Sequence, residues 1–239
     1  MSAAAAITGR IADLDWGGVA EQLDDHGCAV LPSLLAPGEC RALAGTYTDD
    51  ERFRSRIVMA AHGFGRGEYR YFAHPLPEPV TRLRTGLYPH LAAIANAWSR
   101  QLDDGQSYPE DLDEFLDRCH RAGQVRPTPL LLRYEAGDYN HLHQDVYGEH
   151  VFPLQVAVLL SVPGSDFTGG EFVLTEQRPR QQSRAEVVAL GQGDGVLFPV
   201  RQRPVRGARG FYRAGMRHGV SRLHGGGRLT LGVVFHDAR

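Results

Sequence analysis

Lysine is absent from this chain of 239 residues: all 26 of its Lys/Arg positions are arginine. A Schiff-base lysine and a P-loop lysine are therefore excluded at the outset. Cysteine is scarce. Cys28, Cys40 and Cys119 are widely spaced and odd in number, with no Cys-x-x-Cys. Neither a disulfide framework nor a zinc site is indicated, and a reducing cytoplasm is the expected compartment. Long apolar runs are also missing, so no transmembrane span and no membrane partner are expected. The opening MSAAAAITGR has no charged start and no long apolar stretch, and reads as a frayed terminus rather than a signal peptide. A net charge of −2 and a pI near 6.6 do not suggest a generic polyanion binder.

What is present divides into a helical and a β half. Asp15 to His26 predicts a short helix stopped by Gly27, followed by a buried strand, Cys28 to Leu31. Pro37 opens a second helix, where its missing N–H costs nothing. Phe53 to Phe72 is glycine-punctuated and reads as a mobile loop ending in the strand EYRYF. Its G-x-G-x-G spacing lacks the strand–helix context of a phosphate loop. Phe64, Tyr69, Tyr71 and Phe72, with Arg66 and Arg70, are candidates to line a substrate mouth, although alternate aromatics packing on the barrel suits Tyr69 and Tyr71 somewhat better. Val80, Leu83, Leu87, Leu91, Ile94 and Trp98 have helical spacing, with Pro89 expected to restart or kink the helix. DLDEFLDRCH is a further amphipathic helix whose charges form a solvated face.

From Pro129 the period changes to two. LLLRY, PLQVAVLLS, GEFVLTE, AEVVALG, DGVLFPV, MRHGVSRL and RLTLGVVFH are separated by turn residues. Seven or eight strands without intervening helices predict a sandwich or jelly roll. The expected organisation is one α+β domain over residues 1–239, with a helical lead-in and covering elements over 1–128 and a β core over 129–239.

The β half carries the chemistry. In PLLLRYEAGDYNHLHQD, His143 and Asp145 form a His-x-Asp pair, and residues i and i+2 of a strand share a face. His141 would lie on that face too, offering a competing His-x-His pair. Downstream, His218, His224 and His236 are candidate third ligands, and Arg228 follows His218 by ten residues. Two histidines and one carboxylate make the facial triad of non-heme Fe(II) oxygenases, which leaves coordination positions open. An arginine nearby suits a co-substrate carboxylate, because its planar fork donates two parallel hydrogen bonds.

RYEAGDYNHLHQD, TGGEF, GDGVLF and RHGVSRLHGGGRLTL, in that order, resemble the Fe(II)/2-oxoglutarate-dependent dioxygenases. The whole chain most resembles the bacterial Oxygenase-NA branch, proposed to repair damaged nucleic acid oxidatively. The resemblance implies a double-stranded β-helix, a jelly-roll barrel with the metal at one mouth and N-terminal helices packed on it. It implies Fe(II), 2-oxoglutarate and O2 as cofactors. It favours His143, Asp145 and His218 as metal ligands and leaves His141 facing the substrate. Arg228 would take the distal carboxylate of 2-oxoglutarate, with Thr230 beside it. Tyr134, nine residues before His143, matches a co-substrate-binding tyrosine of AlkB-like nucleic-acid demethylases. The chain departs from that group in having its arginine only ten residues after the distal histidine and no second arginine at the matching distance.

The implied activity is oxidative decarboxylation of 2-oxoglutarate coupled to hydroxylation or oxidative demethylation of a second, unidentified substrate. Arg201 to Arg222 holds seven arginines, no acids, and Phe211 next to Tyr212. Arginines interleaved with aromatics suit single-stranded nucleic acid. Arg203, Arg206 and Arg209 are the candidate phosphate contacts, and Phe211 or Tyr212 the stacking surface, on a hairpin expected at the metal-bearing mouth. The alternatives are hydroxylation of a small molecule or protein side chain, and a jelly-roll metal-binding module without redox activity. No protein partner is evident in the sequence.

Overall fold

The computed structural model describes residues 3–146 and 148–239. Helix α1 (Ala3–Ala12) occupies the stretch expected to fray. Its large apolar residues are two and correctly spaced: Ile7 and Ile11 share a face and are buried. A Cβ at Gly86 would come within 2.9 Å of the Ile11 Cδ1, so that glycine lets α1 seat closely on the longest helix. Helix α2 (Trp16–His26) is capped as its sequence predicts. The Asp15 carboxylate accepts from the Gly18 N–H, and Gly27 terminates the helix at a φ of 79°. Helix α3 is Pro37–Gly45.

Helix α4 runs without interruption over Glu78–Leu102, with Pro89 inside it. The expected break is absent because Pro89 and Thr85, whose carbonyl loses its donor, both lie on the exposed face. Meanwhile Leu83, Leu87 and Leu91 are fully buried on the opposite face, anchoring the turns on both sides. Helix α5 (Leu112–Arg121) is capped by Asp111, which accepts from the Asp113 and Glu114 N–H groups. No helix among the described residues is long and apolar enough to cross a membrane.

The strands form two antiparallel sheets facing one another. The larger contains, in spatial order, β1 (Ala29–Leu31), β11 (Gly195–Pro199), β7 (Leu154–Leu159), β14 (Leu223–Val233), β5 (Leu130–Glu135), β4 (Glu68–Phe72) and β2 (Phe53–Val58), with β8 (Phe167–Gly169) also paired to β14. The smaller runs β10 (Arg184–Val188), β9 (Phe172–Gln177), β13 (Gly210–Val220), β6 (Tyr139–His143) and β3 (Gly65–Arg66), with β12 (Gln202–Gly207) on β13. Neighbours that are distant in sequence give the crossovers of a jelly roll. The region before residue 129 is more than a cover. β1 pairs with β11 and β4 with β5, so the first half supplies strands to the larger sheet. Phe53 to Val58, expected as loop, is strand because its pairing with Glu68–Phe72 is antiparallel and local.

The helices bury the outer face of the larger sheet. Tyr88 of α4, Phe115 of α5, Phe152 and Phe235 make a compact aromatic cluster there. Arg84 of α4 ties this layer to the end of the chain, donating to the Val234 carbonyl at 2.9 Å and pairing with Asp237 at 2.7 Å. Between the sheets, Met59, Tyr134, Leu159, Phe167 and Leu223 pack in one cluster, and Phe172, Leu174, Phe198 and Met216 in another.

Candidate metal centre and co-substrate pocket

The register of β6 against β13 determines which side chains enter the barrel. His143 pairs with His218, and Asn140 with Val220. Two residues of β6, His141 and Leu142, therefore face the single residue Gly219, which is a β-bulge. Gly219 permits it: a Cβ there would lie 2.7 Å from the Asn140 carbonyl oxygen. The bulge resets the alternation, so Asn140 and His143 both reach the interior. His141, expected on the face of His143, sits at the exposed rim of the cavity, which it still lines, with its ring edge-on to Tyr139 at 5.1 Å.

His143, Asp145 and His218 offer ligand atoms that all lie within 4.8 Å of one another. The Asp145 carboxylate is the hub, with Oδ1 3.5 Å from the His143 Nε2 and Oδ2 3.2 Å from the His218 Nε2. Each ligand has its own support. The His143 Nδ1 lies 2.8 Å from the His141 carbonyl oxygen, which favours the tautomer presenting Nε2 as a lone-pair donor. Gln155 of β7 donates to the Asp145 Oδ2 at 3.0 Å. The His218 ring is held by packing, 4.6 Å from the Phe198 ring and stacked at 6.0 Å on Phe172.

Burial alone would raise the Asp145 carboxyl, but His218 and His143 outweigh it and hold the group well below the ordinary carboxylate range. Burial opposes charge on His143, yet the hydrogen bond and charge of Asp145 raise it. On His218 burial wins over Asp145 and the imidazole is lowered. An anionic carboxylate beside a buried imidazole that resists protonation is a donor set suited to a divalent cation.

The same cavity, of about 390 Å³, is lined by Tyr134, Asn140, Arg228 and Thr230 as well as by the triad. Arg228 is 3 % exposed, and no carboxylate among the described residues lies within 4.0 Å of it. Its Nη1 donates to the Thr230 Oγ1 at 2.6 Å, and its Nε is buried without a hydrogen-bond partner. Burial pushes its pKa down to about 10, against the opposing pull of Tyr134 and Glu171. A buried cation left in this state is a socket for an anion. Tyr134 is fully buried, and its hydroxyl accepts from the Asn140 Nδ2 at 3.3 Å. Burial pushes that phenol up to about 12, which keeps it a neutral donor.

The arginine-rich hairpin lies elsewhere. Arg203 is 1 % exposed; its Nε donates to the Glu176 Oε2 at 2.7 Å and its Nη1 to the Asp24 carbonyl at 2.6 Å. It is an internal ion-pair partner and cannot serve as a phosphate contact. Arg206 pairs with Phe211, and Val205 with Tyr212, near the β12–β13 turn, where Arg209 also sits. Phe211 is seven residues from His218 along an extended strand, about 23 Å at 3.3 Å per residue. None of these side chains lines the cavity. Closeness in sequence to His218 did not become closeness in space because Phe211 and His218 lie on one continuous strand, Gly210–Val220.

Of the residues expected at a mouth between Phe53 and Phe72, Phe64 and Tyr69 line the cavity. Tyr71 and Phe72 are buried, while Arg70 pairs with Asp50 and lies over the Tyr47 ring. Asn140 and Gln155 were not anticipated. Asn140 lies inside the quoted motif but shows its role only through the bulge, and Gln155 has no local signal.

A family model described as "Oxygenase, catalysing oxidative methylation of damaged DNA" matches residues 67–238. An uncharacterized protein of Mycobacterium tuberculosis (strain CDC 1551 / Oshkosh) is 50 % identical over 167 residues, 70 % of this chain and 72 % of that protein. A Burkholderia pseudomallei oxidoreductase of the 2OG-Fe(II) oxygenase family aligns with a TM-score of 0.54 at 16 % identity, covering 95 % of this chain and 96 % of that one. A Pseudomonas putida prolyl-4-hydroxylase aligns with a TM-score of 0.53 at 16 % identity, covering 94 % and 99 %. At these identities the structural likeness is one of fold, the jelly roll described above. The extent of the family match and the triad-bearing cavity lead to one conclusion: the chain belongs to the Oxygenase-NA family and is an Fe(II)/2-oxoglutarate-dependent oxygenase.

Proposed function

We propose that His143, Asp145 and His218 hold Fe(II), that Arg228, Thr230 and Tyr134 hold 2-oxoglutarate, and that the enzyme hydroxylates or oxidatively demethylates damaged nucleic acid. The observation that carries the cofactor assignment is the shared cavity. A metal-ligating cluster and an arginine without a carboxylate partner face the same enclosed space. When bound, Fe(II) and 2-oxoglutarate supply the oxidative decarboxylation that transfers oxygen from O2 to a substrate C–H bond and leaves succinate and CO2.

The chain's own residues hold and orient. The Arg228 fork takes the distal carboxylate. The Thr230 hydroxyl accepts from Arg228, which leaves its own proton to donate to the same carboxylate. The Tyr134 hydroxyl accepts from Asn140 and likewise keeps its proton for the co-substrate. Gln155 fixes the Asp145 carboxylate, and the bulge at His141–Leu142 aims His143. Apolar walls from Leu132, Val156, Phe172 and Phe198 exclude water from the reacting centre.

Damaged nucleic acid as substrate rests on the description of the family, since the arginine hairpin no longer supports it. The enclosed and largely apolar cavity favours a second reading, hydroxylation of a small molecule. Two measurements test the proposal. Alanine at His143, Asp145 or His218 should abolish tight Fe(II) binding and succinate formation from 2-oxoglutarate, while His141→Ala should keep metal binding. The reverse pattern at His141 and His143 overturns the ligand assignment. Single-stranded oligonucleotides carrying N-methylated bases should stimulate succinate formation and release formaldehyde. Stimulation by small molecules alone would select the second reading.

A further inference from the structure

The segment from Met59 to Arg66 carries an exposed aromatic ring at the mouth of the cavity. Phe64 is 47 % exposed, yet it lines the same cavity as the triad. A single exposed phenylalanine is ordinary on a protein surface. This one is not loosely placed. Its N–H donates to the Met59 carbonyl at 3.1 Å, and its carbonyl accepts from the His141 N–H at 2.9 Å. Met59 is itself fully buried. The flanking Gly63 (φ 71°) and Gly65 (φ 131°) adopt backbone conformations that L side chains rarely take, and a Cβ at Gly65 would lie 2.4 Å from the Tyr139 carbonyl oxygen. The loop is therefore built to present this ring from a fixed backbone, and ligand stacking on it requires little further ordering.

The chemistry around Phe64 is specific. The His62 ring lies nearly parallel to it, with centroids 5.4 Å apart at 21°, while about half of the Phe64 side chain stays open to solvent. Two residues on, the Arg66 side chain is 63 % exposed, and its nearest carboxylate, Asp138, is 3.8 Å away, beyond hydrogen-bond distance. A rigid open aromatic face beside a loosely held guanidinium matches a planar ring attached to an anion. It matches an extended peptide poorly. β3 ends its sheet but is two residues long, and Gly65 departs from strand geometry, so it offers almost no ladder to a peptide.

We propose that residues 62–66 form the substrate-recognition element of this oxygenase, with Phe64, backed by His62, stacking on an unpaired nucleobase presented to the metal centre and Arg66 contacting an adjacent phosphate. The assignment rests on the nucleic-acid reading above. It lies outside residues 67–238, where the family match falls. Because the ring is reached only by a base out of its duplex, single-stranded or mispaired substrates are bound in preference to intact duplex.

Fluorescence anisotropy of the full-length protein tests this, using a short labelled single-stranded DNA with one methylated adenine, its duplex, and a proline- and aromatic-rich peptide. The wild type should bind the single strand more tightly than the duplex or the peptide. Phe64→Ala should weaken single-strand binding roughly five- to hundred-fold, the range for one base–aromatic stack. Phe64→Trp should restore it, while Phe64→Leu, apolar but without a π face, should not. Arg66→Gln should lower the slope of log affinity against log salt by about 0.7, one phosphate contact. Unchanged melting temperatures separate these effects from misfolding. If the wild type binds the single strand but the Phe64 and Arg66 variants match it, the loop assignment is overturned and the nucleic-acid reading stands. If the wild type binds only the peptide, or neither, both are overturned.

Discussion

Arg228→Met should make the protein more stable and less able to bind its co-substrate. The argument starts from the cost of burying the guanidinium. Its fall from the ordinary arginine value to about 10 corresponds to about 3 kcal/mol of lost solvation left over after the opposing pull of Tyr134 and Glu171. Methionine has similar length and suits the space beside the Tyr134 and Phe167 rings, each 5.8 Å from the Arg228 Cζ. The substitution forfeits the hydrogen bond to Thr230, about 1 kcal/mol. The net expectation is a gain of about 1–2 kcal/mol, or roughly 2–8 °C in melting temperature for a chain of this size. Arginine is charged in both the folded and unfolded states until pH rises toward 10, so the gain should not vary with pH across the neutral range.

Adding 2-oxoglutarate with a divalent metal should invert the order. At a hundred times its Kd the ligand stabilises a competent protein by about 2.7 kcal/mol. The wild type should show that increment and the variant should not. Thermal melts of both proteins, with and without 2-oxoglutarate, give four numbers that decide the matter. A variant less stable than wild type without ligand would mean that the Arg228 charge is already compensated. A variant stabilised by 2-oxoglutarate as strongly as wild type would remove Arg228 from the co-substrate site.

Three further perturbations test other parts of the structure. Arg203→Met should destabilise the fold by about 1–3 kcal/mol, as read from denaturant unfolding, because the buried Glu176 loses its buried partner but keeps Arg178 at 2.6 Å; a neutral effect would mean that Arg178 alone satisfies Glu176. His236 accepts from the Phe152 N–H through Nδ1, and burial pushes its pKa from 6.5 down to about 4. Between those values the unfolded chain binds the proton and the folded chain does not. The His236 contribution to stability should therefore fall by about 3 kcal/mol as pH drops from 6.5 to 4 and level off below that, on top of the separate acid loss from the depressed carboxyls of Asp145, Glu68 and Glu176. His236→Asn, which keeps an acceptor without titrating, should lack this component; identical pH profiles would contradict the assignment. Gly219→Ala should weaken metal binding in calorimetric titration and cost about 1–3 kcal/mol of stability, because its Cβ would collide with the bulge that aims His143; unaltered metal affinity would show that the bulge is not needed for ligand geometry.

The candidate metal ligands were legible as two short motifs read together with a family resemblance, although His218 meets His143 only through the long-range register of β6 and β13. His143 and Asp145 are two residues apart, and His218 and Arg228 lie on strands joined by a two-residue connection; the choice of His143 over His141 and of His218 over His224 and His236 came from the resemblance to the family. The jelly roll was legible for a related reason, since period-two runs without intervening helices admit few architectures. What spacing cannot carry is the choice of a distant partner. Arg203 and Arg206 look alike in sequence, yet one is sealed against Glu176 and Asp24 while the other lies on an exposed hairpin. The bulge at His141–Leu142 arises from a register set by β13, so strict alternation could not show that His141 would sit at the exposed rim of the cavity and not beside His143. The mouth of the cavity shows the same physics at its longest reach. Phe64 meets His141 only because a two-residue strand pairs with β6 far along the chain, and a pairing that short leaves almost no periodicity to read. The candidate ligands depend on such pairing too, since His143 faces His218 only through the register of β6 against β13.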